Sequence, residues 1–285
     1  MNSLDGLKDL IEDIDELPTL PTVLIEINNL LQDPKTSSEE IGLAISNDQA
    51  LASRVMKLVN SAFYGFPGRI NTISHAISLL GFLTVRNVVI TASIIGAFED
   101  KDEGIGLDFK GFWLHSVATA SIAKLIAKAS KMQQTEEVFI SALLHDLGKL
   151  LMQLYLPDEY EKVFSYLERK PDLLINAEQK VLGFDHTHAG FWLAKEWNLP
   201  SEICSVIEFH HDPMSAEKDK EICAVVNLAD TLARSLQLGN GGDLFIPAIQ
   251  SEVWDFLDMD ESKLKLILQN AKGAVEKASI FMQVI

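Results

Sequence analysis

His145 and Asp146 stand side by side in Ser141-Ala-Leu-Leu-His-Asp-Leu-Gly-Lys149, and they are the first residues of this chain that offer chemistry. Imidazole and carboxylate are both good ligands for divalent transition-metal ions. Leu143, Leu144, Leu147, Leu150, Leu151 and Leu154 recur at helical spacing, which predicts one mostly buried amphipathic helix running through the pair. Neighbouring helix residues point about 100° apart, so the two side chains would converge only on something lying across the helix edge. Ser141, Ala142 and Gly148 are small and leave room beside the imidazole. Gly148 costs about 1 kcal/mol against alanine inside a helix, which implies a packing or site reason for it. Lys149, three residues beyond Asp146, can pair with that carboxylate or meet an anionic ligand. Taken alone, a His-Asp pair is more often solvated than ligating.

The distribution of the other histidines shifts that balance. They number seven in all, and six fall between His115 and His211. His115 shares a helix face with Phe112, Ala118 and Ile122, so it points to the core, where a lone histidine is usually a satisfied packing residue. Asp230 lies among Val226, Ala229 and Ala233 on a late helix expected over residues 222–238. A carboxylate on such a face is costly unless it is paired or metal-bound. His186 and His188 follow Gly183-Phe-Asp, and His210-His211 end a helix expected to start at a Ser201 cap.

The elements that must position these residues all read as helical. Ser37-x-x-Glu40 is a capping box opening a helix to Ser46, and Asn47 or Asp48 caps the next, through Asn60. Further helices are expected over 23–31, 73–80, 85–98 and 158–169, with Gly81 as a separator. No convincing period-2 strand precedes residue 98. Glu99-Asp-Lys-Asp-Glu-Gly-Ile-Gly106 is a charged, glycine-containing break. It suggests a helical half over 1–100, a second over 101–238, and a C-terminal extension over 239–285. In that extension Gly239-Asn-Gly-Gly242 reads as a linker to helices near 249–257 and 262–280.

Composition narrows the function classes. A formal net charge of −17 would repel a nucleic-acid backbone, and the short helices around Asn47 offer just Arg54 and Lys57 as cations to a DNA groove. Nucleic acid is therefore not an expected partner. The longest apolar run, 88–98, is too short to span a bilayer, and the acidic, amphipathic N-terminus does not fit a signal peptide. Cys204 and Cys223 lack metal-type spacing and read as reduced core residues. Together these predict a soluble cytoplasmic protein with no membrane contact.

The order His115, His145-Asp146, then Asp230 resembles the HD superfamily of metal-dependent phosphohydrolases. More closely, the chain is similar to HDOD proteins, the HD-related output domains of bacterial signalling. The resemblance rests on Leu17-Pro-x-Leu-Pro21, Asn60-Ser61, Tyr64-Gly65, Leu80-Gly81, Leu144-His-Asp-Leu-Gly-Lys149, Asp185-His186, Gly190, Trp197-x-Leu-Pro200, His210-His211 and Ala229-Asp230, over roughly residues 17–235. It implies an all-α fold and a signalling output module with a protein partner. It also implies a site for one or two divalent ions of iron, manganese, zinc or nickel. By resemblance to HD-GYP phosphodiesterases, the ligands would be His115, His145, Asp146, His186, His210, His211 and Asp230. His186 matches better than His188 because it stands four residues before Gly190. The first ion would take His115, His145, Asp146 and Asp230, with Asp146 bridging to a second at His186, His210 and His211. A catalytic version would use Asp146 and Lys149 on a small phosphate ester or nucleotide. Cyclic di-GMP is disfavoured, because after His211 the chain reads Asp212-Pro-Met-Ser-Ala-Glu in place of the Gly-Tyr-Pro signature. No receiver segment precedes the matched region, so any sensory input is expected from a separate protein.

Overall fold

The computed structural model describes residues 26–27, 30, 35–61, 64, 66, 68–98, 107–243 and 245–283. Leu17–Pro21, most of the helix expected over 23–31, part of the loop at 60–68 and the charged break at 99–106 lie outside the described residues. Every regular element among the described residues is a helix, so the fold is all-α as the sequence implies. No helix among them is long and apolar enough to cross a membrane. The chain forms two compact units, one over Lys101–Val275 and the other over Pro18–Asp100 with Glu276–Ile285.

In the Pro18–Asp100 unit, α1 (Ser38–Ser46) opens on the expected capping box. The Glu40 amide donates to Ser37 Oγ, and the Ser37 amide donates to Glu40 Oε2. Asp48 caps α2 (Gln49–Val59) through the Leu51 amide. The Asn60 side chain then fastens the following loop, donating to the Ile70 carbonyl and accepting from the Ile70 amide. Next come α3 (Ile73–Leu80) and α4 (Phe82–Phe98). They are separated by Gly81 at φ +83°, a positive-φ conformation that glycine adopts without strain. Buried residues occur on every face of α4.

The Lys101–Val275 unit is built on α5 (Phe109–Ala129), which packs against α6 (Thr135–Leu144) and α12 (Lys220–Ser235). Between them run α7 (Leu147–Tyr155), α8 (Pro157–Arg169), α9 (Leu174–Leu182), α10 (His186–Glu196) and α11 (Ser201–Phe209). After α12 follow α13 (Ser251–Phe256) and α14 (Glu261–Ala278), which belongs to this unit as far as Val275. Two expectations need correction. The stretch around His145 is not one helix: α6 stops at Leu144, and α7 begins at Leu147. The leucine spacing continues across the break because both helices turn an apolar face inward, so periodicity alone could not detect it. Ser201 is not a cap either; α11 opens after Pro200 without a side-chain cap.

Candidate metal centre

The break between α6 and α7 makes the pair at 145–146 usable. Asp146 has φ −97° and ψ 16°, outside helical geometry, and this turns the two adjacent side chains toward a common point. His145 Nε2 lies 3.2 Å from Asp146 Oδ2. Gly148 follows at once because α10 crosses it there. A β-carbon on Gly148 would run into the His186 carbonyl and stand 2.7 Å from the Gly190 amide nitrogen. A close glycine-to-glycine crossing thus brings the start of α10, and with it His186, against the start of α7.

Around Asp146 the chain gathers two sets of donors. On the Oδ2 side, His115 from α5 and Asp230 from α12 join His145. His115 Nε2 is 3.8 Å from Asp146 Oδ2 and 3.0 Å from Asp230 Oδ1, and His145 Nε2 is 3.9 Å from Asp230 Oδ1. On the Oδ1 side, His186 Nε2 and His210 Nε2 each stand 3.5 Å away, and His211 Nε2 is 3.1 Å from His186 Nε2. Atoms of His115, His145 and Asp146, and of Asp146, His186, His210 and His211, lie within 4.8 Å of one another, close enough to ligate one ion per set. All seven sequence-proposed residues therefore meet around one carboxylate. His188 does not join them. Its Nδ1 sits 2.9 Å from Asp185 Oδ1, at the cap of α10.

Electrostatics favours donors over protonated imidazoles. Burial pushes His115 below the ordinary histidine range, takes His210 down to about 4, and holds His211 well below its usual value. Burial would raise Asp146, but the His145 ring and the Lys149 ammonium outweigh it and keep the carboxyl well below its usual range. Burial also raises Asp230, and Arg234 overcomes it to hold that carboxyl low. Lys149 is fully buried and donates to Asp146 Oδ2 at 2.8 Å, the first of the two contacts expected for it. Its remaining donors go to the Gly241 carbonyl at 2.9 Å and Asp243 Oδ2 at 3.2 Å.

Backbone and side-chain acceptors fix the rings from behind. His145 Nδ1 faces the Ala142 carbonyl at 2.7 Å, and His210 Nδ1 faces the Val206 and Ile207 carbonyls at 3.1 Å. These contacts leave Nε2 of each ring directed at the site. His186 Nδ1 meets the buried Glu178 Oε2 at 2.6 Å, and Glu178 Oε1 accepts from the Tyr160 hydroxyl at 2.9 Å. Burial lowers the His186 ring, and the Glu178 carboxylate outweighs that and raises it.

A metal ion fits this donor set on a direct observation. Nε2 of His115, His145 and His210 and Oδ1 of Asp146 are buried, and none has a hydrogen-bond partner. Orphaned polar atoms in a core are costly, and four of them converge on one place as the ligands of an ion would. Sequence reasoning missed Glu178, Arg234 and Asp243. Arg234 is four residues after Asp230 and was open to a helical-pair argument. Glu178 precedes His186 by eight residues on another helix, and Asp243 sits in a glycine-rich stretch that reads as a linker; neither carries a local signal.

Comparison with known proteins places this architecture. A crystal structure of an HDOD domain protein of unknown function from Geobacter sulfurreducens superposes with a TM-score of 0.82 at 27% identity, covering 99% of this chain and 98% of that one. A provisionally assigned phosphohydrolase from Shewanella amazonensis SB2B gives 0.75 at 24% identity over 97% and 98%, a likeness that speaks to the fold alone. An uncharacterized protein of Treponema pallidum (strain Nichols) is 29% identical over 227 residues, which is 78% of this chain and 43% of that relative. This chain thus spans less than half of that relative's length. The model of the HDOD domain matches residues 17–213, well over half of the sequence, and the chain belongs to the HDOD family.

Proposed function

We propose that this chain is a signal-transduction output module that holds one or two divalent transition-metal ions around Asp146 and passes a signal on through a protein partner. The observation that carries the metal reading is the set of four buried, unpartnered donor atoms on His115, His145, His210 and Asp146. His115, His145, Asp146 and Asp230 would hold one ion, and Asp146, His186, His210 and His211 a second. Mixed imidazole and carboxylate donors suit iron, manganese, zinc or nickel. Membership of the family and the state of the nearest cations support the output role. Lys149 donates hydrogen bonds to Asp146, the Gly241 carbonyl and Asp243, and Arg234 pairs with Asp230 and Asp243, so both are engaged within the chain.

A second reading, hydrolysis of a small phosphate ester or nucleotide, is favoured by the way the two Asp146 oxygens face separate groups of histidines. A bound metal pair supplies an acidified water and stabilises charge on a phosphoryl group. In that reading Asp146 holds both halves of the site in register, Lys149 keeps Asp146 ionised and oriented, and Glu178 fixes the His186 ring. Elemental analysis of the purified chain, followed by assay against phosphate esters and cyclic nucleotides, separates the two. Metal without turnover supports the module. Turnover that disappears in Asp146→Ala supports the hydrolase, and a chain that retains no metal overturns both.

A further inference from the structure

The turn after α12 is more than a connection. The Asn240 amide donates to the Gly111 carbonyl at 2.8 Å, and Gly241 backs onto the His115 ring so closely that a β-carbon there would stand 2.9 Å from Cδ2. The Leu174 amide at the start of α9 donates to Asp243 Oδ1 at 3.1 Å. The other oxygen, Asp243 Oδ2, receives Lys149 Nζ at 3.2 Å and an Arg234 terminal nitrogen at 2.9 Å. Asp243 is thus a buried carboxylate pinned by backbone on one side and shared between two buried cations on the other.

Those two cations reach the same oxygens that face the histidines. Lys149 sits on Asp146 Oδ2, and Arg234 Nε sits 2.8 Å from Asp230 Oδ1. We infer that Asp243 is a positioning residue of the metal centre, which shares Lys149 and Arg234 with Asp146 and Asp230 and so lessens the competition of those two cations with a metal ion for the same oxygens. The inference rests on the metal-binding reading above and deepens it. Three carboxylates against two cations leave one net negative charge in this network. Neutralising Asp243 removes that charge and leaves Lys149 and Arg234 to bear on Asp146 and Asp230 alone. Both then compete more strongly with a divalent ion for the same oxygens. Asp243 lies thirty residues beyond the matched family region, in a segment that sequence alone reads as a spacer.

The test uses the full chain and Co²⁺ alone, with affinity from competition titration and site geometry from the visible ligand-field spectrum. Asp243→Asn, which keeps the shape and removes the charge, should weaken Co²⁺ binding by about 10- to 100-fold. The double variant Asp243→Asn/Arg234→Gln restores the charge balance, and it should recover most of the lost affinity. A purely structural turn predicts the reverse, with the double variant no better than the single. Equal affinity in wild type and Asp243→Asn, or no recovery in the double variant, overturns the role of Asp243 and leaves the metal reading in place. A wild type that takes up no Co²⁺, like Asp146→Ala, overturns the metal reading and this inference with it. Should Asp243→Asn fail to fold, as judged by melting of the metal-free protein, Arg234→Gln carries the test with the opposite sign. It should bind Co²⁺ at least as tightly as wild type, and a tenfold loss overturns the inference.

Discussion

The two sides of Asp146 are built from different materials. Toward Oδ2 stand two histidines and a second carboxylate, Asp230, backed by a network of Lys149, Arg234 and Asp243. Toward Oδ1 stand three imidazoles with no further carboxylate joining them among the described residues, backed by Glu178 and Tyr160. The first side gathers charge and balances it with charge. The second gathers imidazoles, His186 oriented by the Glu178–Tyr160 relay and His210 by backbone carbonyls. Asp230 stands among the donors themselves, whereas Lys149, Arg234 and Glu178 stand behind them, and an ion on the Oδ2 side should be held more tightly than one beside His211, which is also the more exposed end of the cluster.

The largest test of this contrast removes what the sides share. Asp146→Ala should abolish retention of every ion, measured as metal per chain after gel filtration; retention of one equivalent would show that the sides are independent. Next, His115→Ala should lose the tighter ion while His211→Ala loses only the weaker one. Stepwise titration resolves this as two binding events in wild type and one in each variant. If the two variants behave alike, the asymmetry drawn here is wrong. Gly148→Ala should destabilise the fold by about 2–3 kcal/mol, because the atoms it meets are backbone of His186 and Gly190 and cannot swing aside. Denaturant unfolding of the metal-free protein measures that cost, and a loss under about 0.5 kcal/mol would mean the crossing is slack. The smallest effect belongs to Glu178→Gln. Loss of the charged acceptor behind His186 should weaken the Oδ1-side ion by about tenfold and leave the other unchanged; equal weakening of both would assign Glu178 to the fold in general.

Much of this arrangement was legible in the residues themselves. The Ser37-Glu40 box and the Asp48 cap mark their helix starts because capping is local chemistry. Asp230 stood out because an ionisable group on an apolar face demands a partner, and the structure supplies Arg234. The break after Leu144 was hidden because leucine spacing runs on through it. Glu178 and Asp243 were hidden for a different reason: each acts across the fold, on His186 eight residues away and on Lys149 ninety-four residues away, and no periodicity records such a meeting. Local rules reveal elements, whereas the groups that orient a site from behind are selected by three-dimensional proximity.

The position of α12 has a practical corollary. Six of the seven gathered residues lie at or before His211, so a shortened polypeptide ending at the family boundary would keep every histidine. It would nevertheless lack Asp230, Arg234 and Asp243, together with the buried Val225, Val226 and Ala229 of the helix that covers α5. Such a fragment would present its imidazoles to solvent on an opened apolar surface, and its insolubility would say nothing about the competence of the intact molecule.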